Sequence, residues 1–172
     1  MTPAQTLDQI VGILYRNELP FAFHEEKTEI AISAAGTILF IRTAQLEGRT
    51  IVQLEADLAI GIGLTAEVKA GIYYWLSQRN RDARFGRFVI FDTESGGEDG
   101  YPLAWVAVHW ELDGEGLEGP QLIEALKRLR EIASEQAPLL TQAFGGQTAP
   151  QVQAELEELQ GPRPEDDESI WT

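Results

Sequence analysis

Leu7, Ile10, Val11, Leu14 and Tyr15 recur at helical spacing and make one apolar stripe near the start of the chain. Thr2 suits a helix cap, Pro3 the first helical position, and Gln5 completes a capping box. Pro20 lacks an amide hydrogen and biases Leu19 away from helical angles, so this helix should end near Asn17 or Glu18. From Phe21 to Leu58 the period becomes two: Phe21 and Phe23, Ile30 and Ile32, Ile38 and Phe40, then Val52, Leu54, Ala56 and Leu58. Ala35-Gly36 and Glu47-Gly48 interrupt the runs at hairpin intervals, which predicts three consecutive antiparallel strands. Gln53, Glu55 and Asp57 fill the alternate positions of the third, so part of one face should meet water.

Thr65 caps a second predicted helix ending before Arg79, with Val68, Ile72, Trp75 and Leu76 inward and Tyr73 and Tyr74 to either side. Apolar positions that wrap so far call for two neighbours. Phe85 to Phe91 and Leu103 to Leu112 read as two further strands, apolar on both faces and joined by a turn around Gly96, Gly97 and Gly100. Gly119 and Pro120 open a third helix carrying Leu122, Ile123, Leu126, Leu129, Ile132 and Ala133, which Pro138 should kink or divide. Beyond Gly145-Gly146 the sequence turns polar. Residues 150 to 172 hold seven acids and one base; Val152, Leu156 and Leu159 suit a short docking helix. The expected organisation is one domain over residues 1–144 and an acidic, largely flexible tail over 145–172.

The chain has 172 residues, 44% of them apolar, which is enough for one continuous core. It has no cysteine, so disulfides, iron-sulfur clusters, thiolate zinc sites and cysteine nucleophiles are excluded, in keeping with a cytoplasmic protein. No basic leader precedes an apolar run, and no run approaches the roughly 20 residues of a membrane span. The net charge is -15, from 28 acids and 13 bases. Such a surface repels phosphate backbones and anionic lipid, so neither nucleic acid nor a membrane is an expected partner.

Gly61-Ile62-Gly63, between a strand and a helix, is the strongest enzymatic signal, because glycine turns at helix N-termini can cradle pyrophosphate. Against it, Glu55 and Asp57 interrupt the preceding strand, and Asp92 is followed by a hairpin rather than a crossover helix. Asp92, Glu94, Glu98 and Asp99 lack the spacing of a calcium loop. His24, beside Glu25 and Glu26, and His109, before Trp110 and Glu111, have no metal-ligating or catalytic partners in the sequence. No catalytic residue, metal or cofactor is therefore assigned. Arg79, Arg81, Arg84 and Arg87 form the basic cluster of an acidic chain. They either complement a helix end and nearby acids or contact acidic segments, those of a partner or Glu165 to Glu168 of the chain itself.

At Asn80-Arg81-Asp82-Ala83-Arg84-Phe85-Gly86-Arg87-Phe88 the sequence resembles the YbjN family and its relatives with the fold of type III secretion chaperones, bacterial proteins. The order of elements over residues 3 to 144 follows that pattern. The resemblance implies an α+β fold, an antiparallel five-stranded sheet with three helices (α-βββ-α-ββ-α), helices one and three on one face and helix two on the other. It also implies a homodimer through helix two, where Tyr73 and Tyr74 are the candidate contacts, and a non-enzymatic role binding protein or peptide clients. Phe21, Phe23, Trp105 and Trp110 are the candidate peptide-binding residues. The alternatives are a dinucleotide-binding module using the Gly61 turn and a purely structural oligomerisation domain.

Overall fold

The structure is a computed structural model that describes residues 1–24, 29–34, 36–96 and 100–160. Its elements run α1 (Pro3–Arg16), β1 (Ala22–His24), β2 (Glu29–Ala34), β3 (Thr37–Leu46), β4 (Arg49–Gly63), α2 (Ala66–Asp82), β5 (Arg87–Gly96), β6 (Pro102–Asp113), α3 (Gly119–Phe144) and α4 (Ala149–Gln160). The fold is α+β, with one antiparallel sheet of order β1-β2-β3-β4-β6-β5. It has six strands and four helices rather than five and three. The extra strand arises because Phe21 to Ile32 is not continuous: β1 folds back on β2 with Phe23 opposite Ile30. The extra helix is α4.

Local chemistry explains the helix ends. The Thr2 hydroxyl accepts from the Gln5 amide at 3.3 Å while Gln5 Oε1 accepts from the Thr2 amide at 2.9 Å, closing the capping box. The Thr65 hydroxyl accepts the Val68 amide at 3.2 Å and starts α2, which runs on past Arg79 to Asp82. Pro138 does not divide α3, which continues to Phe144. One turn beyond it, the Thr141 hydroxyl donates to the Ala137 carbonyl at 3.0 Å.

Register sorts the sheet into two faces. Ile32 lies opposite Leu39, Leu39 opposite Ala56, Ala56 opposite Val108, and Val108 opposite Phe88. Directly paired residues share a face, so these side chains define a single apolar surface crossing five strands. Ile10 and Leu14 of α1 and Leu122, Leu126 and Leu129 of α3 belong to the same buried cluster. Burying each such aliphatic side chain contributes about 1.5–3 kcal/mol. α2 joins α1 and α3 on this face, contrary to the layout implied above. Trp75 packs edge-on against Phe88 with ring centroids 5.2 Å apart, and Gly71 abuts the Phe144 ring of α3.

β4 is longer than its neighbour β3, and its register slips between Asp57 and Ala59. Where β3 ends, Gln147 takes its place: the Ile60 and Gln147 backbones exchange two hydrogen bonds of 2.8 Å. Gly146 permits this approach. Its φ is +81°, and a Cβ there would meet the Ile60 carbonyl oxygen at 2.8 Å. Ala149 is buried, and α4 packs against β3 and β4.

Candidate functional site

The reverse face of the sheet has a different chemistry. Glu29 lies opposite Arg42, Phe40 opposite Glu55, Glu55 opposite His109, and His109 opposite Arg87. Arg42 bridges two carboxylates, pairing through Nε with Glu29 and through Nη1 with Glu55 at 3.6 Å. His109 stands between Glu55, with Nδ1 at 3.6 Å, and Glu111, with Nε2 at 3.4 Å. Although they lie on the face away from α1, α2 and α3, Glu29 and Glu55 are only 2% and 8% exposed. Charges held this far from water need partners on every side. The hydrogen bond to Glu55 is the largest cause raising the His109 pKa above its ordinary value, with Glu111 adding to it against desolvation. Asp57 is pushed up to about 6, first by burial and then by the charge of Glu55.

Further along this face Phe91 and Trp105 stack with centroids 4.9 Å apart and planes 24° from parallel. Val89 and Ala107, directly paired, connect that aromatic pair to the charged network. The result is a strip graded from ionic to aromatic across β4, β6 and β5. Such a surface offers hydrogen-bonding groups at one end and flat apolar anchors at the other.

The other sequence-predicted residues are dispersed. Trp110, five positions after Trp105, falls on the helix-covered face, where it packs on the core and against Phe85 at 5.3 Å. Phe21 and Phe23 meet edge-to-face at 5.9 Å beside β1, with Phe21 also against the core. Phe21 and Phe23 therefore form one pair, while the two tryptophans do not come together. Tyr73 and Tyr74 are 48% and 69% exposed on α2 in the single chain. Arg79, Arg81, Arg84 and Arg87 are all exposed: Arg79 sits over Trp75 at 5.4 Å, and Arg81 pairs with Asp82 at 3.2 Å.

Gly61 and Gly63 end a strand whose neighbours are both antiparallel, so the parallel strand-helix-strand unit that a dinucleotide fingerprint requires is not formed around them. Asp92 pairs with Lys69 at 3.3 Å. Glu98, Asp99, Gly97, Glu25, Glu26 and Ala35 lie outside the described residues, as does the segment from Gly161 to Thr172. Among the described residues no group of three or more histidines and acids is placed to hold a metal ion. No helix among them is long and apolar enough to cross a membrane.

Two features escaped the sequence reading. The Glu29–Arg42–Glu55–His109 network needs cross-strand register, and its only trace in the sequence was the polar alternation of Gln53, Glu55 and Asp57. The second is Asn80, in the last turns of α2. Its amide grips the outer edge of β5, donating to the Phe88 carbonyl at 2.9 Å and accepting from the Phe88 amide at 2.7 Å.

No protein-family model and no curated protein matches the sequence. Solved structures do match the fold. YbjN from E. coli superposes with a TM-score of 0.50 at 14% identity, over 80% of this chain and 91% of its own. The chain has a YbjN-like fold. The type III secretion chaperone SycH of Yersinia pestis, solved with a fragment of YscM2, gives a TM-score of 0.48 at 12% identity, over 78% of this chain and 99% of its own. An uncharacterized protein from Methanothermobacter thermautotrophicus gives 0.49 at 15% identity, over 81% and 99%. At these identities the likeness is one of architecture.

Proposed function

We propose that the chain is a non-enzymatic, homodimeric, cytoplasmic protein-binding module, chaperone-like or regulatory, that holds a peptide segment of a client. The observation that carries this reading is the graded reverse face. Three helices pack on one side of the sheet, and the other side presents the Phe91–Trp105 stack beside the charged network. The YbjN-like fold agrees with it. Trp105 is the principal client anchor, and the edge-to-face pair of Phe21 and Phe23 supplies a second contact beside β1. Trp110, turned to the other face, reaches such a client only at the Phe85 corner. Addition of a client strand to β5 is blocked at Phe88 by Asn80, so side-chain contacts across the face matter more than edge pairing. Tyr73 and Tyr74 supply the dimer contact on α2.

Light scattering on the purified protein tests the dimer. Wild type should have twice the monomer mass, and Tyr73→Glu with Tyr74→Glu should halve it without loss of helix content. A monomeric wild type would remove that part of the reading. For client binding, partners captured from native extract are identified and then titrated against Trp105→Ser. A loss of tenfold or more in affinity at near-constant melting temperature is expected; equal affinity would remove Trp105 and the reverse face from the site.

A further inference from the structure

The flank of α3 that faces β2 and β3 sets two cations over an apolar pit. Leu19, Ile32, Leu39, Ile123 and Leu126 line a pit of about 90 Å³, and Lys127 and Arg130 complete its wall. These residues share one side of the sheet: Ile32 and Leu39 pair on the helix-covered face, and Leu19 and Ile123 pack on the same core from the α1–β1 link and from α3. Charge on α3 is segregated around the helix. At 100° per residue Glu124, Glu131 and Glu135 fall with Arg128 in an arc of about 60°, whereas Ile123, Lys127 and Arg130 occupy a separate arc about as wide. Arg128 holds Glu124 at 3.0 Å and Glu131 at 3.3 Å. Lys127 is exposed and Arg130 partly buried, and among the described residues neither meets a carboxylate, an aromatic ring or a hydrogen-bond acceptor. Glu18, exposed and next to Leu19 in the chain, pairs with neither. A partly desolvated guanidinium without an anion is costly, so this arc is completed by a negative charge above the pit.

We infer that the pit is a binding site for a small aliphatic monocarboxylate, its chain among Leu19, Ile32, Leu39 and Leu126 and its carboxylate between Lys127 and Arg130. The lining and the mouth each select this class. Five aliphatic side chains offer no hydrogen bond to a sugar or a nucleotide, and the volume is well below the roughly 300–1,000 Å³ of sites for drug-sized ligands, so the occupant is a chain of few carbons. At the mouth an ammonium and a guanidinium favour a carboxylate over an alcohol or an amine, because hydrogen bonds between ions are about twice as strong as neutral ones. The net charge of -15 does not forbid an anion here. At physiological salt the field of exposed charges fades within about 8 Å, whereas Lys127 and Arg130 adjoin the pit itself. The pit lies across the sheet from Phe91 and Trp105, so the inference is independent of the client and dimer readings.

Titration of the isotope-labelled full-length chain with straight-chain carboxylates, from butanoate to octanoate, tests the site. Methyl and amide shifts should centre on Ile32, Leu39 and Ile123. Affinity should rise about fourfold with each added methylene and level off once the pit is full. Hexanol and hexylamine should bind at least about tenfold more weakly than hexanoate. Lys127→Gln with Arg130→Gln should abolish that preference while leaving the melting temperature and the affinity for hexanol unchanged. Shifts that are absent at about 10 mM hexanoate, centred on Phe91 and Trp105, or equal for hexanoate and hexanol overturn the inference, as does a preference that survives in the double variant. A tripeptide ending in leucine that binds where hexanoate does not would assign the pit to a peptide C-terminus and refute the small ligand.

Discussion

The two faces of the sheet are built from the same strands, yet they obey different rules. On the helix-covered face Ile30, Ile41, Leu54 and Val108 are fully buried, and any aliphatic side chain of similar volume would satisfy the environment. On the reverse face Glu29, Arg42, Glu55 and His109 hold one another across four strands. Replacing one leaves another without its partner. The first face supplies most of the folding energy through area removed from water. The second contributes little net stability, because desolvating charges offsets their attraction, but it defines a surface of specific chemistry.

The contrast is sharpest under substitution. Leu54→Ala removes a fully buried side chain from the middle of the covered face and should cost about 3 kcal/mol. In urea denaturation that is a large shift of midpoint; a shift below about 1 kcal/mol would mean the core is looser than its burial indicates. Gly146→Ala tests the seam beside β4. The new methyl group would press on the Ile60 carbonyl from a left-handed backbone, and a loss of about 2 kcal/mol is expected. Hydrogen exchange should show the Ile60 and Gln147 amides opening first. Asn80→Ala deletes both bonds to Phe88 and should cost about 1.5 kcal/mol, with faster exchange confined to the start of β5.

The reverse face should respond to pH where the covered face does not. Asp57 keeps its proton up to about 6 in the folded chain, above the 3.8 of an ordinary aspartate. Between those values the folded state binds more protons than the unfolded one, so stability falls as pH rises through that window. His109, also raised, contributes stability that is present below about 6.5 and is lost as pH rises through its folded pKa. Both groups therefore favour the mildly acidic side. Asp57→Asn removes the first contribution. It should raise stability at pH 7 by about 1 kcal/mol, discounted for partial exposure, and flatten the dependence between pH 4 and 6. A variant as pH-sensitive as wild type in that interval would reassign the effect.

What could be read from the sequence was mostly local. The capping box of Thr2 and Gln5, the Thr65 cap and the period-two strands depend on residues within a few positions of one another, and the structure has them. The strand count did not follow, because positions 24 to 29 hold no glycine or proline to announce a turn, although Phe23 and Ile30 lie on two segments that pair with each other. The side on which α2 packs was likewise out of reach. Periodicity tells how much of a helix is apolar, while Trp75 finding Phe88 depends on where β5 lies. Of the two outcomes expected at Pro138, division does not occur, because a long helix anchored by Leu129, Ala133, Ala137 and Leu140 tolerates one missing amide. Of the candidate site, Trp105 was visible as an aromatic on a two-faced strand, but its stacking partner Phe91 and the ion network required register.

The substitution of Gln147 for a strand at Ile60 has a practical side. A version of the protein stopped at residue 144 would leave the far end of the sheet's longest ribbon with bare amides and carbonyls, an invitation to fibrous or domain-exchanged self-association. Retaining the chain through α4 seals that margin.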